Sequence, residues 1–341
     1  MPAPYVVNGR FLQVRTTGLQ RTARALLAAA IDAGLDAEVV APADADDPMV
    51  DRRVRVPSGR GGGHVFEQLM LPALARGRTV LSLTNTAPLA VRGVVMVHDL
   101  APLAGPQWFV RSMRFYAEAA LLAARRARRV LTVSATVAAE LAQHGVPSGR
   151  IRVVRPAVDP GFAPADASAV DAVRRRLGLD PPYAVMVGWQ DPRKDVETAL
   201  AAHRQVAREV PHSLVLVGGR HPVFAPVPEP AGPDVRVLGY LPEPDLAPLL
   251  TGAVALLYPT RYEGFGLPPL EALACGTPAV VSDLPVLRES TAGAARFVRP
   301  ADVPAWADAL KDALAGAIET PEPPRWTWPD AAHELLAALP G

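Results

Sequence analysis

The chain of 341 residues has one cysteine, Cys275, and only two lysines, Lys194 and Lys311. A single thiol excludes an internal disulfide and any zinc centre built from several thiolates, and it fits a reducing compartment. An excess of one charge is also missing: 35 basic and 34 acidic residues leave a formal net charge of +1. That removes the global field expected of a nucleic-acid binder. No stretch approaches about 18 uninterrupted apolar residues, and the start Met1-Pro2-Ala3-Pro4-Tyr5 lacks the charged and apolar regions of a secretory signal. A cytoplasmic location is therefore expected. There is no His-Glu-x-x-His, no Gly-x-Ser-x-Gly and no complete Gly-x-Gly-x-x-Gly after the first strand. Zinc hydrolase, serine hydrolase and dinucleotide dehydrogenase chemistry thus lack their residues.

What the chain does have is apolar material for two cores: half of its residues are hydrophobic and a fifth charged, at a length that predicts two domains. Short apolar runs alternate with alanine- and leucine-rich helical stretches, the pattern of parallel β–α units. Strands are expected at Tyr5–Val7, Ala37–Val40, Val54–Val56, Val80–Leu83, Val94–Val97 and Val130–Val133, with helices at Gly18–Ala33, Val65–Ala75, Arg111–Arg125 and Ala135–Gln143. A proline- and glycine-rich connection over Pro156–Pro182 leads to a second alternation whose strands start at Tyr183, Ser213, Val235, Ala253, Ala279 and Ala295. The expectation is an α/β protein of two facing Rossmann-like domains, 1–158 and 159–341, with parallel sheets and an interdomain cleft. The last helix has the option of packing back on the first domain. Ligands of such sheets sit at the carboxyl ends of the strands.

One segment concentrates chemistry there. The strand ending at Tyr258 delivers the chain to Glu263-Gly264-Phe265-Gly266-Leu267-Pro268-Pro269-Leu270-Glu271, a glycine-bearing loop that runs into a helix at Leu267 or Pro268. Small residues let backbone N–H groups approach a ligand, and a helix N-terminus favours anionic oxygen. Glu263 and Glu271 are eight residues apart, across a loop and about one turn, so both carboxylates could face a ligand and accept from its vicinal hydroxyls. Solvated surface glutamates are the alternative. Lys194, after the first strand of the second half, could meet a diphosphate, with Arg193 adding a forked contact; a plain surface lysine is the alternative. His98 follows Val94–Val97 and should lie at a strand's carboxyl end, as a ligand contact or as a satisfied structural histidine.

The Glu263–Val281 segment resembles the glutamate-x7-glutamate region of the retaining family 4 glycosyltransferases, which have the GT-B fold. The resemblance extends through Asn8–Leu12, Thr17–Arg21, Phe66–Gln68, Asn85–Pro88, Val97–Asp99, Val187–Asp195 and Leu238–Tyr240, and points to a mannosyltransferase-like branch. It implies a metal-independent hexosyltransferase that uses a nucleotide sugar, GDP-mannose first, and a glycan or lipid-linked acceptor, with no further cofactor. His98 and Glu263 then act on the transferred sugar, while Gly18, Arg193, Lys194, Gly264, Phe265, Gly266, Leu267 and Glu271 hold the donor. The family's arginine after the strand glycine is replaced here by Trp189, leaving Arg193 as its substitute. The same fold also serves sugar-nucleotide epimerases and non-catalytic binding homologues. Three segments stand apart from this resemblance. Ser58–His64 reads as a flexible loop and Asp44-Ala45-Asp46 as a solvated one. The arginines at 111, 114, 125, 126, 128 and 129 form either a solvated face or a peripheral contact with the inner membrane face.

Overall fold

In a computed structural model, which describes all residues except 1–3, 14–17, 57–61, 181, 233, 321 and 341, the chain forms two compact units. The first comprises the chain up to Ala104, Ser112–Ala157 and the segment from Trp326 onwards; the second comprises Gly105–Arg111 and Val158–Arg325. Thr17 and Ser58–Gly61 lie outside the described residues. The remainder of the expected Ser58–His64 loop is not a loop. Gly62–Val65 is the first turn of a helix that continues through a π-turn at Phe66–Met70 to Leu71–Ala75. A Cβ at Gly63 would stand 2.9 Å from Arg10 Nε, so the glycine leaves room for the Arg10 side chain.

The first unit holds a sheet of β1 (Tyr5–Asn8), β2 (Ala37–Pro42), β3 (Arg52–Val54), β4 (Thr79–Ser82), β5 (Val94–Val97), β6 (Arg129–Thr132) and β7 (Ile151–Val153), in the order β3-β2-β1-β4-β5-β6-β7. Every pairing is parallel. β5 is buried at all four positions, as expected where helices cover both faces of a parallel sheet. The helix Trp328–Ala338 closes this unit by packing on the helix Gly18–Asp32. Its Leu335 and Ala332 are fully buried, and Glu334 takes the Arg155 guanidinium at 3.0 Å and the Arg155 N–H at 2.8 Å.

The second unit holds β8 (Tyr183–Val187), β9 (Ser213–Val217), β10 (Val235–Gly239), β11 (Ala255–Tyr258), β12 (Ala279–Ser282) and β13 (Arg296–Val298), again all parallel, in the order β10-β9-β8-β11-β12-β13. The two-residue period of the strands sorts side chains between two cores. Tyr183, Val185, Leu256 and Tyr258 join one; Ala184, Met186, Ala255 and Leu257 join the other, with Trp306. From β8 the chain proceeds outward to β9 and β10, then returns to pair β11 on the other side of β8. The carboxyl ends of β8 and β11 therefore flank the topological switch point, where open α/β sheets bind ligands.

Candidate active site

At that switch point the loops after β8 and β11 are cross-linked. β8 is followed by Gly188, whose φ of +80° turns the chain sharply toward the short helix Pro192–Lys194. The Arg193 carbonyl then accepts from the Arg261 N–H at 2.7 Å, with the Thr260 hydroxyl oxygen 3.1 Å away. These contacts bring Lys194 and Glu263 together from positions 69 residues apart. Lys194 Nζ donates to Glu263 Oε1 at 2.5 Å and to the Tyr258 phenolic oxygen. Tyr258 in turn donates to Glu263 Oε1 at 3.0 Å and Thr260 donates to it at 2.9 Å.

All four side chains are buried, with Lys194 and Glu263 9% and 8% exposed. The ion pair is thus largely desolvated, and its hydroxyl partners offset part of that cost. Burial, then the negative charge of Glu263, push the Tyr258 phenol well above its ordinary pKa, so it stays a neutral donor. The three donors converge on one carboxylate oxygen, so Glu263 Oε2 remains as an acceptor for a ligand hydroxyl.

Gly264, Phe265 and Gly266 lead from Glu263 into the helix Leu267–Ala274. Gly266 has φ +90°, and a Cβ there would lie 2.5 Å from Leu287 Cδ2. Only glycine satisfies both constraints. Glu271 lies one turn inside the helix and is 2% exposed.

Arg193 is placed differently from Lys194. Its guanidinium forks onto Asp191, with Nε 3.0 Å from both carboxylate oxygens and Nη2 2.6 Å from Oδ2. Trp189, in the position of the family arginine, is 1% exposed and belongs to the apolar core with Met186 and Trp306. The side chain after Gly188 therefore points into the core. Sequence reasoning missed Tyr258, Thr260 and Asp191. For Tyr258 the available signal was a single polar atom at the end of an otherwise apolar strand.

His98 and Gly18 lie in the first unit. Gly18 begins the helix Gly18–Asp32, and among the described residues nothing lies within 4 Å of where a Cβ would stand on it. His98 follows β5; its backbone N–H donates to Asn85 Oδ1 at 2.7 Å and its Nε2–H to the Leu83 carbonyl at 2.9 Å. Burial holds its pKa below the ordinary histidine value. The ring is thus neutral, with Nδ1 as an acceptor. Asp99 Oδ1 accepts from the Ala101 N–H at 3.0 Å and so shapes the following turn.

Comparisons with known proteins agree with this fold. Residues 181–316 match the model of "Glycosyl transferases group 1" and residues 16–162 that of "Glycosyltransferase Family 4". The O-antigen chain mannosyltransferase RfbU of Salmonella typhimurium is 28% identical over 241 residues, 69% of this chain and 64% of the relative. The O-antigen chain mannosyltransferase B of Escherichia coli is 31% identical over 224 residues, 63% of this chain and 59% of the relative. In both cases the match spans less than two thirds of the relative's length. Among solved structures, the lipopolysaccharide glycosyltransferase WaaG superposes with a TM-score of 0.69 at 15% identity, covering 98% of each chain. Anabaena HepE in complex with UDP-glucose gives 0.69 at 17% identity, covering 98% of this chain and 93% of its own. At these identities the likeness is one of fold. With two Rossmann-like parallel sheets and both family models matched, the chain belongs to the family 4 glycosyltransferases of the GT-B fold.

Proposed function

We propose that the protein is a retaining hexosyltransferase that moves mannose from a nucleotide sugar, GDP-mannose first, to a glycan or lipid-linked acceptor without a metal ion. The observation that carries this reading is the Lys194–Glu263 pair at the β8/β11 switch point, beside the N-terminus of the helix Leu267–Ala274. Lys194 and the N–H groups at Gly264–Leu267 face the diphosphate and stabilise it as negative charge develops on departure. Glu263 Oε2 accepts from a hydroxyl of the transferred sugar, and Glu271 from the ribose hydroxyls. His98 Nδ1, as the acceptor of a neutral ring, offers the first unit a place to bind a hydroxyl of a substrate. The acceptor hydroxyl attacks on the leaving-group face, and the departing phosphate takes its proton. The positive field comes from an ammonium and backbone dipoles.

Incubation with radiolabelled GDP-mannose, UDP-glucose and ADP-glucose, with chelator and with the product anomer read by NMR, tests this. Transfer with retained configuration in chelator is expected; transfer that vanishes with chelator and returns with manganese overturns the metal-independent reading. Nucleotide-sugar turnover without acceptor would assign an epimerase instead.

A lipid-linked acceptor also suits the outer face of the helix Ser112–Arg126, where Phe115 is 75% and Leu122 44% exposed. Arg114, Arg125 and Arg126 lie on the same exposed side, the composition of an interfacial helix on anionic lipid. No helix among the described residues is long and apolar enough to cross a membrane. Flotation with phosphatidylglycerol vesicles but not phosphatidylcholine vesicles is expected, and equal behaviour with both would refute the contact.

A further inference from the structure

The segment Gly105–Arg111 lies in sequence between two stretches of the first unit, yet it folds as part of the second. Its attachment is specific. The Val110 N–H donates to the Val223 carbonyl at 3.0 Å and the Ala225 N–H to the Trp108 carbonyl at 2.9 Å, making an antiparallel bridge of Phe109 with Phe224. The two rings meet at 5.5 Å, tilted by 49°. The turn Pro106–Trp108 that sets this up needs Gly105, because a Cβ there would enter the Trp108 ring at 2.1 Å.

Both rings lie against one cation. Arg193 Cζ is 5.5 Å from the Phe109 centroid and 5.7 Å from that of Phe224, within the range of cation–π attraction. The same guanidinium forks onto Asp191, and Asp191 Oδ1 accepts from the Arg193 N–H at 3.0 Å. A closed Asp191–Arg193 unit is therefore buttressed on one side by the Phe109–Phe224 pair. Its backbone carbonyl accepts from the Arg261 N–H in the glutamate loop, and its next residue is Lys194.

We propose that Gly105–Arg111 is a strap whose Phe109, with Phe224, clamps the Asp191–Arg193 fork and so positions Lys194 for the donor diphosphate. Phe109 and Phe224 are positioning residues: they act through the loop and need no contact with the ligand. Arg193 becomes the pin of the phosphate loop, with its fork directed at Asp191. The inference rests on the reading that this unit binds a nucleoside diphosphate.

The test is calorimetric titration of UDP, GDP and ADP into wild type, Phe109→Ala, Phe109→Leu, Phe109→Tyr, Arg193→Ala and the double variant Phe109→Ala/Arg193→Ala. Loss of one aromatic face should weaken diphosphate binding about five- to tenfold. Phe109→Leu keeps apolar area but has no π-face and should bind as weakly as Phe109→Ala, whereas Phe109→Tyr should restore affinity. The double variant should bind no more weakly than Arg193→Ala, because both changes remove the same clamp. Wild-type affinity in Phe109→Leu, or additive losses in the double variant, overturns the strap while leaving the donor site standing. Failure of wild type to bind any of the three diphosphates overturns the donor reading and the strap with it.

Discussion

Replacing Lys194 by Ala separates the two things its ammonium does. In the folded protein it neutralises Glu263, whose side chain is 9% exposed while that of Lys194 is 11% exposed. Removing one partner of a buried pair leaves the other charge uncompensated, at a cost of about 3 to 5 kcal/mol. Tyr258 and Thr260 still donate to Glu263 Oε1, which places the loss near the lower figure of about 3 kcal/mol. For a unit of this size that is roughly 6 to 12 °C in Tm. The second job is binding: a charged hydrogen bond to phosphate contributes about 1.5 to 3 kcal/mol, so donor affinity should fall by roughly 10- to 150-fold. Adding Glu263→Gln to Lys194→Ala removes the orphaned charge. Melting temperature should then recover by several degrees, measured by calorimetry, while diphosphate affinity stays low. Recovery of affinity with the charge pair deleted would refute the reasoning, because it would mean that the lysine serves Glu263 and not the ligand.

Three further outcomes follow from other parts of the molecule. Gly266→Ala forces a Cβ into Leu287 at positive φ and should destabilise by about 1 to 3 kcal/mol in denaturant unfolding with loss of donor binding; a wild-type midpoint would contradict the geometry. His203 donates Nδ1–H to His212 Nε2 at 2.9 Å, since His212 Nδ1–H is committed to the Val210 carbonyl at 2.8 Å. Burial lowers the His203 pKa to about 4, so the fold favours the neutral ring. Its stability contribution is therefore complete above about pH 6.5 and falls by about 3 kcal/mol as pH drops to 4; an equally steep fall in His203→Gln would remove this cause. The Cys275 thiol, pushed up to about 12 by burial, should resist a disulfide reagent in the native state and react once the protein is unfolded; rapid native labelling would show that the site opens.

The parallel β–α alternation was legible because fully buried strands such as Val94–Val97 and Ala255–Tyr258 are written as unbroken apolar runs. The strand Ile151–Val153 was not, because it is three residues long at the sheet edge with an exposed Arg152 at its centre. Local chemistry marked Glu263, Gly266 and Lys194, each tied to a loop that starts at a strand end. Tyr258 and Thr260 escaped notice because their roles arise only when two loops 69 residues apart are pinned together, and Asp191 because its bond is a turn within one loop, to Arg193 two residues on. Trp189 shows the limit of reading a family pattern: a substitution that suggested a lost phosphate contact is a core residue. Nothing in the spacing of Gly105–Arg111 marks it as joining the second unit, since that choice rests on two hydrogen bonds to a distant turn.

The return of the chain to its first unit bears on the order in which a ribosome can make this protein fold. Helix Gly18–Asp32 precedes the second unit in the chain, but the surface that covers it, Trp328–Ala338, follows that unit. The second unit, lying almost wholly between them, can complete its sheet while the first is still uncovered. During that interval the apolar face awaiting Leu335 and Ala332 stands open to chaperones. A stalled or prematurely terminated chain should therefore betray itself by instability at its beginning, far from the break.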